Sequence, residues 1–512
     1  MDLQYSFSLA KLWSICGAQV IMLLSGLVLL FVEIFYKGKS PERRLSTIGW
    51  LTTIAMALAL GHVCNKEWNL DEVVFMGAFS MEKFSAFLVA VVLMAGIMAS
   101  ILSIGYLKNN KIYRTEYFLL LAFAVYGTIA FVQAVDLLMI FITLEIMSLG
   151  IYCLAAFLRD DRLSLEGSLK YFLIGSFGSA FLLFGIVLIY GFTGEINLTK
   201  ISSVLARAPF QHPMVLVALA MIMVGLMFKI SMVPFHMWAP DVYEGSPSVV
   251  TGFMATAVKA AAIGVFIKVM AVGFGPVLSL SGQPEFYANA LLGALGAYWK
   301  PILWWISLLT MFFGNLIAVN QRNVKRMLAY SSIAHAGYMT LGILASNDMG
   351  RMGVLFYLFA YTIMNIGAFG VIYCLDGQER HAQTLEDYRG LGYKYPGLSF
   401  LISLFLVAMA GLPPTAGFIG KFYVFAAAIR SGYILLAALG ILTSVIGAYY
   451  YLRVVYMLYM KDPVREISIP GVSVSTAVIL IAAALAVIYL GILPQGLTDV
   501  ADAAQKTLSL VF

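Results

Sequence analysis

Residues 474–493, VSTAVILIAAALAVIYLGIL, run for twenty positions without one charged side chain. As a helix rising about 1.5 Å per residue, roughly twenty apolar residues cover the hydrocarbon core of a bilayer. Residues 20–35, VIMLLSGLVLLFVEIF, read the same way with a single glutamate near their end. Such runs fill nearly the whole chain. Of its 512 residues 62% are hydrophobic and 11% charged, whereas soluble domains are about a quarter charged. The sequence therefore specifies an all-α polytopic membrane protein, with little left over for a soluble domain.

Breaks at charged residues, proline and glycine divide the chain into fourteen expected spans, at 12–36, 44–64, 79–106, 115–132, 134–157, 165–191, 211–239, 247–272, 301–320, 326–346, 351–375, 397–430, 432–459 and 471–492. An even count puts both termini on one side. One set of loops carries Lys37, Lys39, Arg43, Arg44, Lys108, Lys111, Arg114, Arg159, Arg162, Arg322, Lys325, Arg326, Arg380, Arg389, Lys394, Lys461 and Arg465, about twice the basic residues of the other. Basic loops stay cytoplasmic, so both termini are expected on the periplasmic side of a bacterial inner membrane. The first apolar run is too long for a signal-peptide core, and the first helix is expected to be retained.

The net charge of +6 is accounted for by these orienting loops and does not call for nucleic acid. Cys16, Cys64, Cys153 and Cys374 are scattered, with no CxxC and no cluster-ligand spacing. No glycine-rich phosphate loop follows a strand pattern. No cofactor is expected in this chain, so redox chemistry would have to sit in a partner.

Two spans are interrupted. Pro234 lies inside FKISMVPFHMWAP at 228–240, and AGLPPTAGFIGKF at 410–422 divides a stretch too long for one plain crossing. Proline removes a helical donor and clashes with the preceding turn. A broken helix is tolerated at membrane depth only where protein or a watery cavity satisfies the freed backbone groups. The breaks fall five spans apart, an odd number, so spans 4–8 and 9–13 would be units of opposite orientation, the pattern of an inverted repeat. This divides the chain at 1–114, 115–272, 273–460 and 461–512. The match is imperfect, because Lys229 precedes its proline whereas Lys421 follows its own.

A charge at the bilayer centre costs at least about 2.5–3.5 kcal/mol, so the ionisable residues deep in the spans need a reason. Glu145 sits midway along the fifth span in FITLEIMSLG, Lys229 just before the first break, and Lys259 centrally in TGFMATAVKAAAIGVF. His335 lies in AYSSIAHAGYM of the tenth span, and Lys421 just past the second break. Structural ion pairs or a hydrogen-bonded core histidine would use the same residue types. Against that reading, a desolvated lysine loses its preference for charge and a nearby carboxylate restores it, so a row of lysines with Glu145 near Lys229 can pass protons stepwise. Histidine suits such a relay by its ordinary pKa. A metal-ion route would favour carboxylates, carbonyls and hydroxyls instead. Other charges read as incidental. Lys268 faces away from Lys259 and is expected to snorkel to the interface. Lys170 pairs with Glu166 or snorkels, Glu33 and Arg453 lie at span ends, and Asp136 suits a helix N-terminus.

At these residues the sequence resembles a known family. KISMVPFHMWAPDVYEGSPSVVTGFMATAVKAA at 229–261, NVKRMLAYSSIAHAGYM at 323–339 and GLPPTAGFIGKFYVF at 411–425 look like the antiporter-like membrane subunits of respiratory complex I. Within that family they are most similar to the subunit N group of bacterial NADH-quinone oxidoreductases. The resemblance covers essentially the whole chain. It implies fourteen helices with two inverted five-helix units, broken seventh and twelfth helices, and one proton pathway driven by quinone reduction elsewhere. It places the family's functional carboxylate on Glu145, its lysines on Lys229 and Lys259, and its terminal pathway residue on Lys421. The sequence stops soon after the fourteenth span, without the long lateral helix of the distal sister subunit, which also fits subunit N. Implied partners are neighbouring antiporter-like and small membrane subunits of complex I, with NADH, FMN, iron–sulfur clusters and quinone bound in partner subunits. The alternatives are a subunit of a multi-subunit cation/proton antiporter or a related membrane-bound hydrogenase complex, a stand-alone solute transporter, and a quinone-binding redox subunit.

Overall fold

The computed structural model describes residues 9–35, 40–205, 212–274, 286–376, 384–464, 469 and 471–508. Its main helices are α1 (Leu9–Phe35), α2 (Pro41–Asn65), α3 (Lys83–Asn109), α4 (Glu116–Gln133), α5 (Leu137–Ala155) and α6 (Arg162–Thr193). Then come α7 (Pro213–Ile230), α8 (Ala239–Gly245), α9 (Ser248–Gly273), α10 (Phe286–Val319), α11 (Val324–Ala345) and α12 (Asp348–Asp376). The last are α13 (Pro396–Ala410), α14 (Ala416–Arg430), α15 (Ile434–Met460), α16 (Val474–Ile492) and the short amphipathic α17 (Gln495–Thr507). A small antiparallel hairpin pairs β1 (Glu72–Val74) with β2 (Phe79–Met81) between α2 and α3. Of the loop lysines and arginines, Lys37, Lys39, Arg380 and Arg465 lie outside the described residues.

Twelve helices among the described residues are long and apolar enough to cross a bilayer. The pair α13–α14, divided at the second break, and α11 occupy the two remaining segments, so every expected span meets a helix. The protein is a multi-pass membrane protein.

Local chemistry sets the helix starts. Asp136 accepts from the backbone N–H groups of Leu138 (2.9 Å) and Met139 (3.2 Å), as its place before α5 suggests. Asp161 caps α6 and Asn323 caps α11 in the same way. Proline opens α2, α7 and α13, where its missing N–H costs nothing. Both breaks end their first half-helix in a left-handed residue, Ser231 (φ 65°) after α7 and Gly411 (φ 84°) after α13.

Two helices form the centre. In α9 and α12, 94% of the apolar span is buried, against 39% in α1, α6 and α15. The peripheral helices turn Phe35, Phe177, Val445 and Leu485 outward, as side chains facing lipid should. Small residues bring the helix backbones together where burial alone would not drive association in lipid. A Cβ on Gly127 of α4 would fall 2.5 Å from the Met147 nitrogen of α5, and one on Gly150 of α5 would fall 3.2 Å from the Leu120 carbonyl of α4. The next pair repeats this arrangement. Gly314 of α10 lies against the Ala334 nitrogen of α11, and Gly337 of α11 lies against the Met311 nitrogen of α10.

Candidate functional site

Lys229 occupies the last turn of α7, just before the break. It is buried, 3% exposed. Its Nζ donates to the Tyr152 hydroxyl of α5 at 3.3 Å and lies 5.1 Å from the ring centroids of both Tyr152 and Tyr171. Aromatic faces attract a cation, so these rings take the place of a carboxylate. The break itself is closed by Trp238, which stacks on Tyr171 at 4.3 Å and donates its indole N–H to the Phe228 carbonyl at 3.2 Å.

Glu145 is not in contact with Lys229, as a direct pairing would require. Among the described residues no basic side chain comes within ion-pair distance of it, and its carboxylate accepts a short hydrogen bond from Ser179 of α6. Tyr152, seven residues on along α5, touches Lys229 instead.

Lys259 directly follows a π-helical turn at Met254–Val258 in α9, the kind of irregularity that recurs at functional positions. The wider turn carries its side chain to α11, where Nζ donates to the Ser332 carbonyl at 2.7 Å and makes a short bond to the Ser332 hydroxyl. His335 follows one turn later on α11. Its Nδ1 meets the Tyr357 hydroxyl of α12 at 2.6 Å, and its Nε2 meets the Tyr451 hydroxyl of α15 at 3.0 Å. Tyr451 in turn makes a short bond to Ser331.

One further turn along α11, the Tyr338 ring lies 5.1 Å from Lys421 Nζ. Lys421 donates to the Ala410 carbonyl and to the Ser444 hydroxyl, each at 2.8 Å. Ala410 is the last residue of α13. Lys421 thus reaches back from the second half-helix to the carbonyl end of the first. Each break lysine also sits 5.1 Å over the ring of a tyrosine from the helix that follows a glycine-packed pair partner, Tyr152 on α5 and Tyr338 on α11.

The structure therefore joins Lys259, His335 and Lys421 through one face of α11, carrying Ser332, His335 and Tyr338. All of these side chains are buried. No direct hydrogen bond connects Lys229 with Lys259 among the described residues. The tyrosines around His335, namely Tyr338, Tyr357, Tyr361 and Tyr451, escaped sequence reasoning because they read as part of the apolar runs.

Lys268 corrects an expectation. It does face away from Lys259, but it does not snorkel. It is fully buried and pairs with Glu82 at 3.0 Å, donating also to Ser85 of α3 (2.7 Å) and the Val132 carbonyl of α4 (2.8 Å). Lys170 pairs with Glu166 (2.8 Å) and also with Asp241 (2.7 Å), which Arg326 shares at 2.6 Å. This ionic knot ties α6, α8 and the start of α11 together. Glu33 pairs with Arg44 at 2.8 Å, and Arg453 donates to the Val319 carbonyl.

The chain matches the family described as NADH:quinone oxidoreductase/Mrp antiporter, TM over residues 134–281 and 285–447. It is 37% identical to NADH-quinone oxidoreductase subunit N of Trichlorobacter lovleyi over 95% of this chain and 96% of that one. It is likewise 37% identical to the subunit N of Paramagnetospirillum magneticum, over 96% of each. Among solved structures it resembles a chain of respiratory complex I from Thermus thermophilus, with a TM-score of 0.77, 31% identity and coverage of 94% and 98%. A chain of the Mrp complex from Dietzia sp. shares the fold, with a TM-score of 0.78 at 19% identity and coverage of 96% and 98%. By sequence and by fold, the chain belongs to the NADH:quinone oxidoreductase and Mrp antiporter membrane family, among the subunits N of NADH-quinone oxidoreductase.

Proposed function

We propose that this chain translocates protons through Lys229, Lys259, His335 and Lys421, with Glu145 modulating Lys229, in a complex whose other subunits reduce quinone. The observation that carries this reading is the buried run from Lys259 through Ser332, His335 and Tyr338 to Lys421. Burial weakens a lysine's preference for the charged form, so the neutral amine becomes accessible. Each lysine of the path has hydroxyl or carbonyl partners in place of a fixed carboxylate, which leaves the proton free to move on. Lys268, locked on Glu82, is the contrasting case.

In this reading protons enter near the first break, pass from Lys229 to Lys259 and His335, and leave beside Lys421. Spans 4–8 and 9–13 act as inverted units within the divisions 1–114, 115–272, 273–460 and 461–512. Both termini face the periplasm. NADH, FMN, iron–sulfur clusters and quinone belong to partner subunits, and neighbouring antiporter-like and small membrane subunits are the contacts.

The test is Lys229→Ala and Glu145→Ala in the assembled complex in vesicles. Proton pumping per quinone reduced should fall in both while the complex remains intact. Unchanged pumping in fully assembled variants would remove those residues from the path.

A further inference from the structure

The tyrosine that holds His335 belongs to a polar stripe that continues beyond the relay. Tyr357, Tyr361 and Asn365 follow at four-residue steps on α12 and share one face. Tyr361 is 1% exposed and Asn365 0%. Among the described residues, neither polar atom of the Asn365 amide makes a hydrogen bond. Leaving such a buried group unpaired is costly, and a leucine would fill the Asn365 position without that cost.

The stripe has a direction. α11 and α12 are consecutive and antiparallel, and Tyr357 stands level with His335. Moving from Tyr357 to Asn365 therefore means moving back along α11 toward Arg326 and its ionic knot. The Tyr361 ring lies 5.0 Å from His335, and its hydroxyl lies beside Ser332, whose carbonyl receives Lys259. Asn365 is about 6 Å farther along the helix axis. Ile366 and Phe369 pack on Gly252 of α9, so this stretch of α12 lines the path between the Arg326 end of the bundle and Lys259. Buried polar groups without protein partners are normally satisfied by bound water.

We propose that Asn365 and Tyr361 hold water that forms a second proton entrance, reaching Lys259 from the Arg326 end without passing Lys229. The proposal rests on the relay reading above. In the step, a hydronium ion at the Asn365 end gives up a proton along the water chain and becomes water. The neutral Lys259 amine takes up the chain's last proton, forming one N–H bond as one O–H bond breaks. Loss of that proton toward His335 regenerates the amine. Asn365 supplies both donors and an acceptor to orient the water, and the Tyr361 hydroxyl bridges to Ser332. A separate entrance also accounts for the lack of a hydrogen bond between Lys229 and Lys259.

The experiment measures protons pumped per quinone reduced by the assembled complex in vesicles, for Asn365→Leu, Asn365→Ser, Tyr361→Phe, and Tyr361→Phe combined with Lys229→Ala. Asn365→Leu and Tyr361→Phe should each lose part of the pumping, Asn365→Ser should retain more than Asn365→Leu, and the combined variant should lose more than either single change. Wild-type pumping ratios in assembled Asn365→Leu and Tyr361→Phe would overturn the entrance. If Asn365→Leu does not assemble, Tyr361→Phe, which deletes one hydroxyl, decides alone. Lys259→Ala in the same assay separates the two claims. Its loss beside unaffected stripe variants refutes the entrance only, whereas wild-type pumping in Lys259→Ala refutes the relay itself.

Discussion

Lys259 and Lys268 share a helix, a side-chain type and full burial, yet their partners give them opposite characters. Lys259 is bonded to a hydroxyl and a carbonyl on α11, so losing its proton leaves no stranded anion. Lys268 neutralises Glu82 inside the α3–α4–α9 junction, and deprotonating it would leave a buried carboxylate unpaired. Breaking such a pair from one side costs about 3–5 kcal/mol. Lys268→Met is therefore expected to lower the melting temperature and yield of the complex. Adding Glu82→Gln should recover much of the loss, and the complex's thermal unfolding profile measures both. A single variant as stable as wild type would show the pair to be dispensable. Helical phase correctly put Lys268 on the face opposite Lys259. It could not reveal that α3 and α4 cover that face, because phase along one helix does not say which neighbours pack on it. The buried lysines were legible because a charge amid apolar residues is conspicuous. Their tyrosine and serine partners were not, because a tyrosine at helical spacing looks like ordinary core.

Among the helix pairs whose backbones meet at glycine, α4–α5 and α10–α11 each place their two glycines 23 residues apart, Gly127 with Gly150 and Gly314 with Gly337. The second helix of each pair carries residues of the proposed path, Glu145 and Tyr152 on α5, Ser332, His335 and Tyr338 on α11, so this contact sets their depth. A side chain at Gly127 or Gly314 would press on the partner's backbone, and such overpacking costs typically about 1–3 kcal/mol. Gly314→Val is expected to reduce assembled complex sharply and Gly314→Ala more mildly. Gly61→Ala, with open space around it, should be neutral or slightly stabilising. Quantifying the chain in the intact complex on native gels tests the ordering, and equal levels for all three would refute it. The two breaks were visible in the sequence because proline marks them. The return of Lys421 to the end of α13 was not, since only the backbone course after Gly411 carries it back to Ala410. α11 shows a related limit. It holds Lys325, Arg326, Ser331, Ser332 and His335, and these polar residues make the central relay helix less apolar than the twelve spans that length and hydropathy alone identify.

Across the molecule, the buried polar groups fall into a connected part and an isolated one. From Lys259 to Lys421 the contacts follow α11 turn by turn, whereas Lys229 stands apart in its aromatic enclosure. Groups that act in series behave as a unit, so removing a second member adds little to the loss caused by the first. Groups in parallel branches each carry part of the flow, and their losses accumulate. Lys259→Ala and Lys421→Ala should therefore each lower pumping per electron, and the double variant should pump no worse than the more impaired single one. His335→Asn, which keeps hydrogen bonding but removes the titratable ring, should join the same non-additive group. The cycle is measured on assembled complex in vesicles, with quinone reduction followed in parallel so that slowed electron transfer is not mistaken for lost pumping. Additive losses for Lys259→Ala and Lys421→Ala would mean that each half of the chain moves protons independently. The continuous face of α11 would then be packing that happens to be polar, and the path would have to be redrawn as two short crossings instead of one long one.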